Sequence, residues 1–136
     1  MGIRSRHSGE QSLVDIRLTR DLRAPGLARR SLEALRPRID ASTLDDVKLL
    51  VSELVTNSVQ HAGENSDSWV GLRLRLLPNA VRAEIIDPGP GFLQERGPAP
   101  RDQESGRGLD LVDLISDRWG VEGNDITRVW FEIGAA

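Results

Sequence analysis

Apolar residues alternate with polar ones along two neighbouring stretches in the middle of the chain. These stretches are WVGLRLRLLP and AVRAEIID, and only the dipeptide Pro78-Asn79 separates them. The alternating apolar positions are Val70, Leu72, Leu74, Leu76, Val81, Ala83 and Ile85. A period of two is typical of a strand with one buried face, and a proline-asparagine pair suits a turn. The pattern therefore predicts an antiparallel hairpin with one face exposed to water.

A spacing of three and four residues dominates the segment STLDDVKLLVSELVTNSVQHAG. Its repeating positions are Leu44, Val47, Val51, Leu54, Val55, Ser58, Val59 and Ala62. Thr43 is the expected N-cap, and Asp45 and Asp46 are expected in the first turn, where the helix dipole favours negative charge. Gly63 follows the last repeat, as glycine often does after a helix. The segment predicts a long amphipathic helix.

The flanking segments show the same two periods. Ser12 to Thr19 alternates imperfectly and predicts a first strand, and Leu27, Leu32 and Leu35 predict a helix that stops before Pro37. Residues 87–108 are rich in glycine and proline and predict a long loop. A helical period resumes in LDLVDLISDRWG through Leu109, Val112, Leu114 and Ile115, and TRVWFEI alternates as a closing strand, alone or in a strand pair.

The order of these elements predicts the fold class. Helices grouped beside consecutive strands indicate an α+β two-layer sandwich, with a mostly antiparallel sheet and the helices on one face. Regular alternation of strand and helix, which a doubly wound parallel sheet would need, is missing. A chain of 136 residues suits one domain, so we expect a flexible N-terminus over residues 1–11 and a single domain over residues 12–136.

Composition excludes several classes of function. The chain has no cysteine and two histidines, which excludes a disulfide framework and makes a zinc site a poor candidate. The net charge of -3 provides no overall positive field for nucleic acid, and no apolar run is long enough to cross a membrane. No GxxxxGK[ST] motif is present, and the sole lysine, Lys48, lies in a predicted helix. We therefore expect a protein that binds neither nucleic acid nor membranes directly.

Glu53, Asn57 and His61 form a polar stripe on the long helix, because residues four apart share a helix face. The simplest interpretation is a solvated helix edge. The functional interpretation gives Asn57 an amide oxygen for a hard cation such as Mg²⁺ and makes Glu53 a base toward a hydroxyl or water. For His61, packing or hydrogen bonding at the helix end ranks ahead of catalysis.

Two glycine-containing segments offer ligand contacts of other kinds. In DPGPGF, Asp87 can accept a hydrogen bond from an exocyclic amine, while Gly89 and Gly91 permit close approach of a ligand. The alternative is a simple tight turn that begins with aspartate. In ESGRGLDLV, the three residues at the helix entrance suit a phosphate, although glycine also occurs there for capping or packing. These three residues are Gly106, Arg107 and Gly108.

Taken together, four motifs resemble the GHKL ATPase superfamily, which includes gyrase, a heat-shock chaperone, histidine kinases and a mismatch-repair ATPase. ELVTNSVQHAG resembles the N box, DPGPGF and SGRGLDLVDLISDRWGV resemble the two glycine boxes, and TRVWFEI resembles the last strand. The match runs from about Thr43 to Ile133. The small size and the wording of the second glycine box are similar to stand-alone bacterial anti-sigma-factor serine/threonine kinases.

The resemblance implies the Bergerat ATP-binding fold, with ATP and Mg²⁺ as cofactors. It implies that Asn57 holds Mg²⁺, that Glu53 is the catalytic base, and that Asp87 binds the adenine amine with support from Thr127 through water. Gly89 and Gly91 would fold against the base. Gly106, Arg107 and Gly108 would close on the phosphates as a lid from Phe92 to Ser105 orders around ATP.

The implied function is a cytoplasmic serine/threonine protein kinase that regulates transcription by partner switching. It would bind a sigma factor in one state and phosphorylate an anti-anti-sigma antagonist in another, and resemblance suggests a homodimer. One alternative is a non-catalytic ATP-gated protein-binding module. Another is a detached histidine-kinase catalytic domain, although the chain shows no phosphoacceptor histidine or dimerisation helix pair.

Overall fold

The computed structural model describes residues 11–60, 68–88, 104–123 and 126–134, with residues 104–108 described by their helical backbone only. It contains five strands and three helices in the described part of the chain. In chain order these are β1 Gln11–Thr19, α1 Ala24–Glu33, α2 Ala41–Gln60, β2 Trp69–Leu76, β3 Ala80–Asp87, α3 Glu104–Ile115, β4 Arg118–Glu122 and β5 Thr127–Gly134.

The five strands form one sheet in the order β1-β2-β3-β5-β4, and every neighbouring pair is antiparallel. The predicted hairpin is confirmed: Leu76 pairs with Val81, and the Leu77 amide donates to the Ala80 carbonyl at 2.8 Å. The predicted α+β class is also confirmed. None of the described helices is long and apolar enough to cross a membrane.

The core lies between the helices and one face of the sheet. Alternate positions of β2, β3 and β5 point inward, as the period of two predicted. These buried positions are Val70, Leu72, Leu74, Val81, Ala83, Ile85, Val129, Phe131 and Ile133. Helix α2 covers them with Leu44, Val47, Leu50, Val51, Leu54 and Val55, and α1 adds Ala24, Ala28 and Leu32. This face of the sheet is called the inner face below.

The start of α2 differs from the sequence prediction. The helix begins at Ala41, and Asp40 is its cap: the Asp40 carboxylate accepts the Thr43 amide at 3.2 Å and the Thr43 hydroxyl at 2.7 Å. Thr43 as N-cap is therefore wrong. Asp45 and Asp46 follow the first turn instead of lying within it. These hydrogen bonds, the side-chain one first, lower the pKa of Asp40.

Three other local details differ from a regular pattern or from the sequence prediction. The imperfect alternation in the first strand reflects a bulge between Ser12 and Val14, where the register with β2 shifts by one residue. Helix α3 begins at Glu104, inside the predicted loop, and it ends at Ile115 because the following residues form β4. Leu27 and Leu114 are exposed by 40% and 80%, so neither is a core residue.

The outer face of the sheet carries charge instead of helices. Glu84, only 4% exposed, accepts from Arg75 at 3.0 Å and from Arg82 at 3.1 Å, and Arg128 lies 3.9 Å away. Arg82 also stacks over Trp130, at 4.2 Å from the ring centroid, and Arg17 stacks over Trp69 at 4.0 Å. Ion pairs and cation-π contacts therefore organise this face.

Candidate functional site

The candidate site lies at one end of the inner face, where β3 and β5 meet α2. Asp87 is the last residue of β3 and pairs in register with Thr127, the first residue of β5. Both are polar residues at inward positions that are otherwise aliphatic, with exposures of 2% and 0%. The antiparallel register thus brings together two residues that the sequence analysis assigned to one adenine-binding function.

Helix α2 carries two adjacent buried polar residues, and one of them, Ser58, contacts Asp87. Asn57 and Ser58 are exposed by 3% and 0%, although the surrounding helix face is apolar. The Ser58 hydroxyl donates to Asp87 Oδ2 at 2.7 Å. This bond fixes the C-terminal half of α2 against the end of β3, because a buried carboxylate needs donors.

Arg20 supplies the second donor to Asp87. It follows the last residue of β1, and its backbone amide bonds the Ser68 carbonyl at 3.0 Å. Its Nη1 lies 2.7 Å from Asp87 Oδ1, and Arg20 itself is only 7% exposed. The carboxylate of Asp87 is therefore held by one donor on each oxygen, from β1 on one side and from α2 on the other.

The residues of the polar stripe on α2 differ in burial. Asn57 faces the interior beside Ser58, whereas Glu53, one turn earlier, is half-buried. Within the described residues, no hydrogen bond or ion pair engages the Glu53 carboxylate. His61 lies outside the described residues, and so do Gly89 and Gly91.

The second glycine segment is part of a helix. Gly106, Arg107 and Gly108 are the third, fourth and fifth residues of α3, so the helix begins two residues before Gly106. Their backbone is helical, and the side chain of Arg107 lies outside the description. The backbone amides of a first helical turn have no partners within the helix, which suits an anion.

The donors and acceptors at this site fit an amine-bearing base better than a protein-bound metal cluster. A carboxylate offers about four acceptor positions, so Asp87 retains acceptor capacity beyond the bonds from Arg20 and Ser58. Asn57 brings an amide oxygen. In the described ranges no three histidine, cysteine, aspartate or glutamate side chains converge. A cation here would depend on ligand oxygens and water, as Mg²⁺ bound with phosphates does.

Sequence analysis missed Arg20 and Ser58. Ser58 appeared only as one position of an apolar helical repeat, and a hydroxyl in such a repeat was the available signal. Arg20 had no local signal, because it follows an exposed-edge strand and is one of many arginines. Its role depends on a partner 67 positions away in the chain.

Clefts on the outer face do not mark this site. Two of them measure about 280 and about 200 Å³, and arginines such as Arg73 and Arg128 line both. Neither is lined by Asp87, Asn57 or Thr127. The candidate site is therefore identified from its buried polar residues instead of from cavity size.

Comparison with known proteins identifies a family that matches this chain. The model of the histidine kinase-like ATPase domain matches residues 18–133. The chain is 26% identical to an anti-sigma F factor of Caldanaerobacter subterraneus over 120 residues, which cover 82% of this chain and 84% of that protein. It is 27% identical to the serine-protein kinase RsbW of Staphylococcus aureus over 123 residues, covering 79% and 77%.

An uncharacterized protein of Streptomyces coelicolor is 39% identical over 74 residues, which cover 53% of this chain and 69% of that protein. The family match spans most of the chain, and the five-stranded antiparallel sheet with helices on one face agrees with it. The chain belongs to the family of histidine kinase-like ATPase domains.

Proposed function

We propose that this protein is an ATP-dependent serine/threonine protein kinase of the anti-sigma-factor type. The observation that supports it best is the buried Asp87 acceptor, which lies opposite Thr127 and accepts a hydrogen bond from Ser58, the chain neighbour of Asn57, within the span of the family match. An exocyclic amine such as that of adenine is a suitable donor for Asp87. The names of the two relatives, an anti-sigma factor and a serine-protein kinase, support the same function.

Each residue of the site would contact a different part of Mg-ATP. Asp87 and Thr127 would hold the base, and Asn57 would hold Mg²⁺, which would neutralise phosphate charge when ATP is bound. Gly89 and Gly91 would permit the loop to fold against the base, while Gly106, Arg107 and Gly108 would contact the phosphates. Phosphoryl transfer depends mainly on such positioning and charge neutralisation.

Glu53 would accept the proton of the attacking hydroxyl. It lies one helical turn from Asn57 on α2, so a base and a metal-binding amide project from the same side of one rigid element. Its partial exposure lets a protein substrate reach it. As Glu53 takes the proton, the hydroxyl oxygen of the acceptor serine or threonine would bond the γ-phosphorus of ATP, while the bond from that phosphorus to the β,γ-bridging oxygen breaks and ADP leaves.

We further propose that the protein acts in the cytoplasm and regulates transcription by partner switching. It would bind a sigma factor in one nucleotide state and phosphorylate an anti-anti-sigma antagonist in another. A homodimer is the proposed assembly. Direct contact with nucleic acid or a membrane is not part of this function, since the net charge is -3.

Glu53→Gln tests the kinase chemistry. The protein is incubated with Mg-ATP and candidate antagonists, and phosphoserine, phosphothreonine and ATP affinity are measured. We expect the substitution to reduce transfer by about 100-fold or more, the usual contribution of a general base, with ATP affinity retained. Asp45→Asn, an exposed position on the same helix, is the matched control and should change neither quantity.

The outcomes separate the alternatives. Transfer at the wild-type rate by the Glu53→Gln variant would overturn the proposed role of Glu53. ATP binding by the wild-type protein without transfer to any partner would favour the non-catalytic ATP-gated binding module. An acid-labile phosphoramidate product would instead indicate a histidine acceptor on a separate protein.

A further inference from the structure

Arg20 is a buried residue in direct contact with Asp87, the acceptor proposed for the base. It is not among the family positions considered above, yet its Nη1 contacts Asp87 Oδ1 at 2.7 Å, and Ser58 occupies Oδ2 at the same distance. Arg20, Asp87 and Ser58 are exposed by 7%, 2% and 0%. The acceptor proposed for the base therefore belongs to a buried group of three, defined here as the Arg20-Asp87-Ser58 cluster.

The chain holds Arg20 rigidly at this place. Its amide continues the β1-β2 pairing through the Ser68 carbonyl at 3.0 Å, immediately after the Thr19 and Trp69 register pair. Its side chain then crosses the end of β2 to reach the last residue of β3. Because both strands belong to one sheet, the backbones that carry the guanidinium and the carboxylate are held in one register.

The geometry of the ion pair is poorly suited to stability alone. Only one hydrogen bond joins Arg20 to Asp87, although a guanidinium can bond a carboxylate through two parallel bonds. Arg20 Nε is buried and has no hydrogen-bond partner among the described residues. Removing both charges from water is costly, and an apolar pair of similar volume is often as stable. The arrangement is better explained by recognition than by packing.

We propose that Arg20 is a positioning residue that sets the base specificity of the site. A guanidinium donates and never accepts, so it requires a lone pair of Asp87 and fixes the plane of the carboxylate. The remaining lone pairs can only accept, so a group that faces them must carry an N-H or O-H donor. An amine at position 6 of a purine satisfies this demand, whereas a carbonyl oxygen there would face the carboxylate with no hydrogen between them. This inference rests on the proposed ATP site.

The test compares ATP with inosine triphosphate, which carries a carbonyl oxygen in place of the amine. Dissociation constants of both Mg²⁺ complexes are measured by calorimetry for the full chain, for Arg20→Gln and for Arg20→Lys. We expect the wild-type protein to prefer ATP by about 100-fold, since a site built for an N-H group strongly rejects an analogue lacking it. The preference should fall by about tenfold in Arg20→Gln.

Arg20→Lys keeps the charge but loses the planar fork, so its preference should fall by about threefold, between the other two proteins. Arg23→Gln is the matched control, because it makes the same substitution at an exposed arginine paired with Asp21 at 3.0 Å. It should retain the wild-type preference. Thermal unfolding of each variant checks that it folds. If Arg20→Gln does not fold, the nucleotide preference of Arg20→Lys decides the test.

A merely structural role for Arg20 would weaken binding of both nucleotides by one factor and leave their ratio unchanged. An unchanged ratio in the variants that fold, with ATP binding intact in the wild-type protein, overturns this inference alone. If the wild-type protein binds neither nucleotide, the proposed function falls and the inference falls with it.

Discussion

The carboxylates of Asp87 and Glu84, both on β3, lie on opposite faces of the sheet and have different partners. Asp87 faces the helices and has one arginine and one serine, whereas Glu84 faces outward and is surrounded by three arginines. Burial by itself would raise the pKa of Glu84. The Arg82 hydrogen bond and the charges of Arg75, Arg82 and Arg128 outweigh burial and hold that pKa below its ordinary value.

Glu84 should therefore make the fold sensitive to acid. A carboxyl group with a lower pKa in the folded state stabilises the fold above its unfolded pKa, and this contribution is lost as pH falls through the folded pKa. Urea unfolding between pH 7 and pH 3 should show a free energy of unfolding that declines on acidification. Glu84→Gln should flatten this decline and cost about 2 kcal/mol at pH 7, because three partly exposed arginines lose the buried charge that pairs with them.

Glu122→Gln is the control for this prediction. Glu122 is 53% exposed and lies 3.6 Å from Arg128, so its ion pair is a surface one. Exposed pairs contribute less than about 1 kcal/mol, and the pH dependence of this variant should match the wild-type protein. Identical pH dependence for Glu84→Gln and the wild-type protein would contradict the assigned role of Glu84.

The hairpin between β4 and β5 depends on one backbone conformation. Gly123 follows β4 and has a φ angle of 124°, in the region that residues with a side chain rarely adopt. A Cβ at this position would overlap the Ile126 carbonyl oxygen. The turn that brings Thr127 to the start of β5 therefore requires glycine.

Substitution of two glycines by alanine should have opposite effects on stability. Gly123→Ala should lower the free energy of unfolding by about 2 kcal/mol or more, since the conformation is strained for any Cβ. Gly26→Ala in α1 should raise it by about 0.5–1 kcal/mol, because a Cβ there meets only the Arg29 guanidinium at 3.8 Å and alanine favours the helix. Urea unfolding measures both, and equal effects would refute this account.

The periodicity of the strands predicted most of the sheet, because alternation is a local property. Val81, Ala83 and Ile85 are buried as predicted, and in the structure Asp87 occupies the next inward position of the same strand. Helix ends were predicted less well. Asp40 and Thr43 are both good caps, and only the observed backbone decides between them.

The candidate site was predictable only where its residues lie in recognisable motifs. Asn57, Asp87 and Thr127 were singled out from the sequence, and the fold places Asp87 opposite Thr127. Ser58 and Arg20 were not, because their bonds to Asp87 join residues 29 and 67 positions apart. A contact of that kind follows from sheet order and register, which periodicity does not specify.

For the molecule as a whole, the proposed ATP site is continuous with the core. Asp87 and Thr127 extend the inner-face rows of β3 and β5, and Ser58 extends the buried face of α2. A ligand that contacts these residues therefore binds the folded chain and has no comparable site in the unfolded one. Nucleotide binding and global unfolding should be thermodynamically linked.

Mg-ATP should consequently raise the melting temperature. At about 100 times its dissociation constant a ligand adds about 2.7 kcal/mol, which for a domain of this size corresponds to a shift of roughly 8 °C. Differential scanning calorimetry measures the shift. Mg-GTP at the same concentration is the control and should give a much smaller one, as should Mg-ATP with Asp87→Asn. Equal shifts with both nucleotides would indicate phosphate binding without recognition of the base.

The bulge at the start of β1 has a consequence for how copies of this protein meet. In the order β1-β2-β3-β5-β4, β1 and β4 are the two edges, and each has one side without a strand partner in the described sheet. The bulge near Leu13 twists one edge, and β4 is only five residues long. Short and bulged edges are poor templates for adding a foreign strand, so we expect the sheet to resist edge-to-edge aggregation.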